Sequence, residues 1–239
     1  MSNAEKASGV QSALTVASAD QLKQKDLKGR IEGLRGMAWA YAVLHYTGYT
    51  ASGASKKFSP PGPEEKEPTN SKIMYQYLQG RRAPTRGERG KYGFDLVTEV
   101  DRDPRGKHAT RWLDHPLWMI FQPDTSGDQL EPYLEEEVTP PQLAKYFWND
   151  RIVPPAATTG GSAQGPELQI FDDFLYVCAY FRLACMAGYA STGFRLVECL
   201  APQAAALEPV FRYVQAPFMV MLEEFFYRNR EQLTEAWSK

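Results

Sequence analysis

The chain has 239 residues, 43% hydrophobic and 23% charged, with a formal net charge of -2. That length and composition describe a soluble globular protein of one large or two modest domains, and they exclude a uniformly basic coating protein or a long disordered chain. The charge is uneven: Lys72, Arg81, Arg82, Arg86, Arg89 and Lys91 face only Glu88 between residues 72 and 91, so this window is +5 and the rest of the chain -7. A basic island on an acidic protein is the pattern of a local anion site.

Residues 1–25 are rich in Ala, Ser, Gln and Lys with little periodicity and read as a flexible arm. The start carries no basic region followed by an apolar run, so no secretory signal is expected. Asp26 is an N-cap for a helix with apolar Leu27, Ile31, Leu34, Ala38, Tyr41, Ala42 and Leu44, and Gly33 and Gly36 are where it is expected to break, leaving Leu34 to Tyr46 as the firmer part. Gly48 ends it. Thr50 to Phe58 reads as a second short helix with Thr50 or Ser52 near its cap, and the four prolines of residues 59–69 form an insertion without regular structure.

Ser71 to Gln79 is the third helix, capped by Thr69, Asn70 or Ser71. Ile73, Met74, Tyr77 and Leu78 make its apolar stripe; Lys72, Tyr75, Gln76 and Gln79 lie on the other side. Gly80 stops it, Arg81 and Arg82 follow at its negative end, and Pro84 prevents resumption. A basic, glycine-rich loop leads to a short helix from Phe94 to Val100. The aromatic-rich residues 112–121 are expected to cover the core of this domain.

A turn at Asp124 to Gly127, an acidic surface segment from Glu131 to Glu137 and a helix starting at Thr139 complete a first domain spanning 26–151. Residues 152–166 read as a linker. Beyond it, helices are expected over Glu167 to Met186, Ser191 to Leu200, Gln203 to Gln215 and Pro217 to Trp237, forming a C-terminal helical domain at 167–239 whose apolar faces pack on each other or on a second copy. No alternating pattern supports a strand, so the fold class is all-α; the apolar run from Phe174 to Ala190 contains Arg182 and reads as a buried helix, not a membrane span.

Tyr77-Leu-x-Gly80-x-x-x-Pro84 is similar to the end of the recognition helix and the following turn in lambda-repressor-like helix-turn-helix regulators, the Cro and XRE type. With Trp39 and Trp112-Leu-Asp-His-Pro-Leu-Trp118, the segment also resembles a degenerate version of that module in bacterial proteins. The resemblance covers about a third of the chain and implies a helix-turn-helix-like N-terminal domain acting as a DNA-binding protein, a transcriptional regulator. Two features depart from the family: the insertion at 59–69 replaces a turn of about four residues, and the loop before the fourth helix is expanded.

On that reading Gln76 and Gln79 pair with adenine edges, Tyr75 packs on a base or phosphate, and Lys72, Arg81, Arg82 and Arg86 neutralise phosphates of double-stranded DNA. The alternative is a non-enzymatic protein-interaction or assembly subunit that uses the same basic helix as a docking surface on a degenerate scaffold. Self-association through the C-terminal helices is expected in either case.

Catalytic chemistry finds little support. His45, His108 and His115 lack a second ligand at metal-binding spacing, so no metal or cofactor is expected. Gly87-Glu-Arg-Gly90-Lys91 fails as a phosphate loop, because Thr85 stands where its first glycine belongs and Tyr92 where Ser or Thr belongs. Asp172-Asp173 and Glu223-Glu224 are adjacent and do not converge, and no nucleophile is placed beside a base. Cys178, Cys185 and Cys199 read as reduced thiols of a cytoplasmic protein.

Overall fold

A computed structural model describes residues 26–58, 72–87, 95–134, 143, 166–187 and 190–237, with side chains in the last span given for 193–227. The chain is all-α: among the described residues there is no strand. It divides into two compact units between Trp118 and Met119. The arm at 1–25, the insertion at 59–69, the helix starting at Thr139 (apart from a helical, buried Leu143) and the linker at 152–166 (apart from Pro166) lie outside the described residues.

In the first unit α1 spans Leu27–Thr47. Its free N–H groups begin to be satisfied by the Asp26 carboxylate, which accepts from the Gly29 amide at 2.7 Å, and Gly48 closes it in the left-handed region at φ 71°. The helix does not break at Gly33 or Gly36. The reason is packing: a Cβ on Gly36 would lie 2.2 Å from the Arg82 carbonyl oxygen, so glycine is what lets the backbone of residues 82–83 rest on the helix. Ile31, Leu34 and the run from Met37 to Val43 are at most 5% exposed, which makes α1 the axis of the unit.

Around it lie α2 (Ala51–Lys57), α3 (Ile73–Leu78), α4 (Leu96–Arg102) and α5 (Thr110–Leu113), and the unit ends within α6 (Pro116–Ile120). The Thr50 hydroxyl caps α2 by accepting from Gly53 at 3.0 Å. Asp95 caps α4, accepting from the Thr98 amide at 3.1 Å and from the Gly87 amide at 2.6 Å. Its partial burial favours the neutral acid, but these backbone donors outweigh that and hold its carboxyl below the ordinary value. Trp112 and Trp118 are buried, and the Trp118 indole donates to the Trp112 carbonyl at 2.6 Å.

The second unit holds α7 (Gly127–Leu130), a 3-10 turn at Glu131–Tyr133, and three long helices, α8 (Phe171–Met186), α9 (Ala190–Leu207) and α10 (Pro209–Trp237). The division at Trp118 comes earlier than the expected boundary near Arg151, and the aromatic segment 112–121 contributes to two cores instead of one. Phe121 packs on Phe181, Phe218 and Phe225, with centroids 5.7–6.2 Å apart. Phe174 and Phe181, and Phe211, Phe218 and Phe225, recur every seven residues, so a single aromatic seam faces inward along α8 and α10.

The four helices expected beyond residue 166 are three. α9 runs through Pro202 and α10 through Pro217, and the chain breaks instead at Glu208. Leu200, Ala201 and Ala204 are buried on either side of Pro202, as are Val214 and Phe218 around Pro217, so packing offsets the hydrogen bond that each proline removes. Pro209 occupies the first position of α10, where no donor is needed, and the Glu208 carboxylate accepts from Val210 at 3.3 Å. Residues 167–170, expected as helix, precede α8: Gln203 pins this stretch by accepting from Leu168 and donating to the carbonyl of Pro166, the last linker residue, both at 3.0 Å. The Asp173 carboxylate accepts from Gln169 at 2.8 Å and Ile170 at 3.2 Å, so this half of the Asp172-Asp173 pair caps a helix.

Candidate nucleic-acid interface

α3 is shorter than the sequence suggests, six residues in place of the nine from Ser71 to Gln79, or about 9 Å of helix. Lys72 stands at its N-cap without a side-chain capping bond; the alternative caps Thr69, Asn70 and Ser71 lie outside the described residues. The Met74 amide is met from α2 by the Ser55 hydroxyl at 3.3 Å, deep in the core. At the other end Gly80 takes φ 64°, its amide donates to Tyr77 at 2.8 Å, and Arg81 donates to Gln76 at 3.0 Å. These two bonds satisfy the last carbonyls and turn the chain back towards α1.

The two faces separate in part: Ile73, expected in the apolar stripe, is only half-buried, as are Gln76 and Gln79. Met74, Tyr77 and Leu78 are at most 4% exposed, and Tyr77 meets Trp39 of α1 edge-on at 5.5 Å. Lys72 and Tyr75 are exposed, Gln76 and Gln79 half-buried, and Arg81 and Arg82 exposed. The Arg82 guanidinium lies over the outer face of Tyr77, 5.5 Å from its centroid, so one phosphate-binding candidate is held in position by the ring below it. No carboxylate occurs among the described residues 72–87.

Arg86 is exposed but already engaged. It lies 2.9 Å from Asp114 and 4.0 Å from Asp101, which brings the loop after α3 onto α4 and the end of α5. Asp114 is shared with Arg35 of α1 at 3.6 Å, and Arg35 reaches Glu32 at 3.3 Å and the Leu113 carbonyl as well. Sequence reasoning missed this cluster because Asp114 lies 28 positions from Arg86. Gly36 was missed as part of the site for the same reason: it was read as a helix weakener, whereas it seats the Arg82 backbone.

The remaining titratable candidates are dispersed. Among the described residues no three His, Cys, Asp or Glu side chains converge as metal ligands. His115 stacks on Trp112 at 4.8 Å, with planes 12° apart, and burial together with the Arg111 charge pushes its pKa down to about 4. Burial raises the Cys185 thiol to about 12, against the pull of Arg182, and raises Cys178 well above its ordinary value; both are packed side chains.

Fold and surface together define an all-α protein with a short, two-faced helix bearing a cationic turn, and no helix among the described residues is long and apolar enough to cross a membrane. In comparisons with protein-family models, curated proteins and solved structures, nothing matches the chain.

Proposed function

We propose that this chain is a DNA-binding protein, of the transcriptional-regulator kind, that meets duplex DNA with the outer face of α3 and the turn behind it. One observation carries the reading: Lys72, Tyr75, Gln76, Gln79, Arg81 and Arg82 share one accessible stretch without a carboxylate. Gln76 and Gln79 are suited to adenine edges, Tyr75 to a base or sugar face, and the three cations to phosphates. Arg86, paired with Asp114, holds the loop and adds little charge of its own. Residues 58–72 separate α2 from α3, so the helix is presented by its buried contacts with α1 and α2 in place of a tight turn.

Electrophoretic shift of genomic fragments at graded salt tests this. Three phosphate contacts give a slope of log affinity against log salt of about -2.7 or steeper. Charge reversal, R81E with R82E, abolishes the shift while the circular dichroism stays native. Absence of binding at low salt, or binding indifferent to that reversal, defeats the reading.

A second reading, docking of a protein partner on this face as part of an assembly, draws on the same exposed Tyr75 and on the long 58–72 separation; saturable binding to a protein without any to DNA supports it. Self-association belongs to both. Leu183 and Met186, about one turn apart on α8, are 39% and 40% exposed, apolar surface suited to a second copy. Sedimentation equilibrium that returns only monomer removes that element.

A further inference from the structure

Beyond α3, the first unit carries a second cationic surface at the far end of α1. Tyr46 lies in the last turn of α1 and Tyr49 just past its Gly48 cap. The Arg111 guanidinium lies over the Tyr46 ring at 5.7 Å and donates to its hydroxyl at 2.6 Å. Arg105 repeats the arrangement on Tyr49, at 5.0 Å from the ring and 2.8 Å from the hydroxyl. His108 stands edge-on to Tyr46 at 6.0 Å, and Lys107 is exposed between the two arginines in sequence. Asp103 lies 3.8 Å from Arg105 Nε, and residues 104–113 carry Arg105, Lys107 and Arg111 and no acid in sequence.

We infer that Arg105 and Arg111, each held against a tyrosine by its ring and its hydroxyl, form a second phosphate-binding surface that takes the backbone of the nucleic acid engaged by α3. Each hydroxyl accepts from one guanidinium nitrogen and each ring lies beside it, while both side chains stay exposed, so little rotamer freedom is lost when a phosphate arrives. Planar, forked donors suit phosphate better than a flexible ammonium does. The distance also fits: Tyr77 of α3 abuts α1 at Trp39, and Tyr46 is seven residues, or about 10 Å, further along the same helix. That separation is less than one turn of duplex, ~34 Å. The surface carries no side chain placed for base edges, so its contribution is affinity and register without sequence preference.

This inference rests on the proposal that α3 binds DNA, and the experiment separates the two. Salt titrations of duplex binding are compared for the wild type, R105Q/R111Q and R105K/R111K, each checked by thermal melting. The glutamine pair is expected to flatten the log–log salt slope by about 2 units, at ~0.9 per phosphate, with the preference among DNA sequences unchanged, and the lysine pair to restore the slope. If the double glutamine variant does not fold, R105Q and R111Q are read singly at about 1 unit each. An unchanged slope in a folded variant overturns the inference and leaves the α3 reading intact, because it shows the arginine–tyrosine pairs only to tie residues 105–111 to α1. A wild type that binds no duplex overturns both.

Discussion

Replacing Gly36 by alanine sets two opposed effects against each other. On helix propensity alone, alanine inside α1 is favoured by about 1 kcal/mol. The added methyl, however, would sit 2.2 Å from the Arg82 carbonyl oxygen and 2.9 Å from the Ala83 Cα, both backbone atoms that cannot rotate away. Ordinary carbon–oxygen contact needs roughly 1 Å more, so the turn after α3 must lift by about that distance, and overpacking of this kind costs ~1–3 kcal/mol. The net expectation is a loss of up to about 2 kcal/mol, or several degrees in melting temperature, although Gly36 itself is buried. Because Arg81 and Arg82 ride on the displaced turn, duplex affinity falls as well. Thermal melting and salt-controlled shift assays on Gly36→Ala measure both quantities. Gly48→Ala is the control for backbone strain alone: its φ of 71° penalises alanine by about 1 kcal/mol, yet nothing lies within 4 Å of the new methyl, so stability drops without displacing the turn after α3. A Gly36→Ala protein at least as stable as wild type, with unchanged binding, would refute the packing argument.

Three other outcomes are expected. Asp114→Asn removes the nearer of the two carboxylates on Arg86, leaving Asp101 at 4.0 Å, and one contact of Arg35, so on the proposed reading duplex binding tightens at low salt; a double-mutant cycle with Arg86→Gln returns ~0.2–1 kcal/mol for so exposed a pair, and weaker DNA binding by Asp114→Asn contradicts the assignment of Arg86. His115 titrates at about 4 in the fold against an ordinary value near 6.5, so the unfolded chain binds the proton first: its contribution is complete above about pH 6.5 and is lost as pH falls towards 4, on the order of 3 kcal/mol in all. Urea midpoints at pH 7, 5.5 and 4.5 should fall more steeply for wild type than for His115→Gln; parallel profiles would count against it. In the second unit, Arg182 is buried without an acidic partner among the described residues, donating through one nitrogen to the carbonyls of Gln122, Pro123 and Thr125 at 3.4–3.5 Å and lying 4.8 Å over Phe225. Arg182→Ala is expected to cost ~2–4 kcal/mol and to speed amide exchange around residues 122–125, and a cost within ±0.5 kcal/mol would show those carbonyls to be satisfied otherwise.

What the sequence discloses and what it hides divide along the range of the forces involved. Asp26, Thr50, Gly48 and Gly80 act on amides and carbonyls within a few positions, and each was readable as a cap or stop. The two-faced character of α3 was readable too, because it depends only on helical spacing. Pro202 and Pro217 misled, since local chemistry says break while burial of Leu200, Ala204, Val214 and Phe218 says continue. The seven-residue recurrence of Phe174, Phe181, Phe211, Phe218 and Phe225 was present in the sequence, but its meaning comes from the facing helices. The pairings of Arg86 with Asp114, Arg105 with Tyr49 and Arg111 with Tyr46 join residues 28, 56 and 65 positions apart, and no local pattern announces them.

The way α3 is fastened has a bearing on how such a surface could diverge. Its position is set by groups that face inward or belong to the backbone: the Ser55 hydroxyl on the Met74 amide, the Gly80 turn, the Gly36 notch, and Met74, Tyr77 and Leu78 in the core. The side chains of Lys72, Tyr75, Gln76 and Gln79 take no part in those contacts; Gln76 enters the Gly80 turn only through its carbonyl. On the proposed reading the outer face is therefore an interchangeable cassette: its four letters can be rewritten, and a specificity redirected, while the backbone and core contacts that hold the helix stay in place.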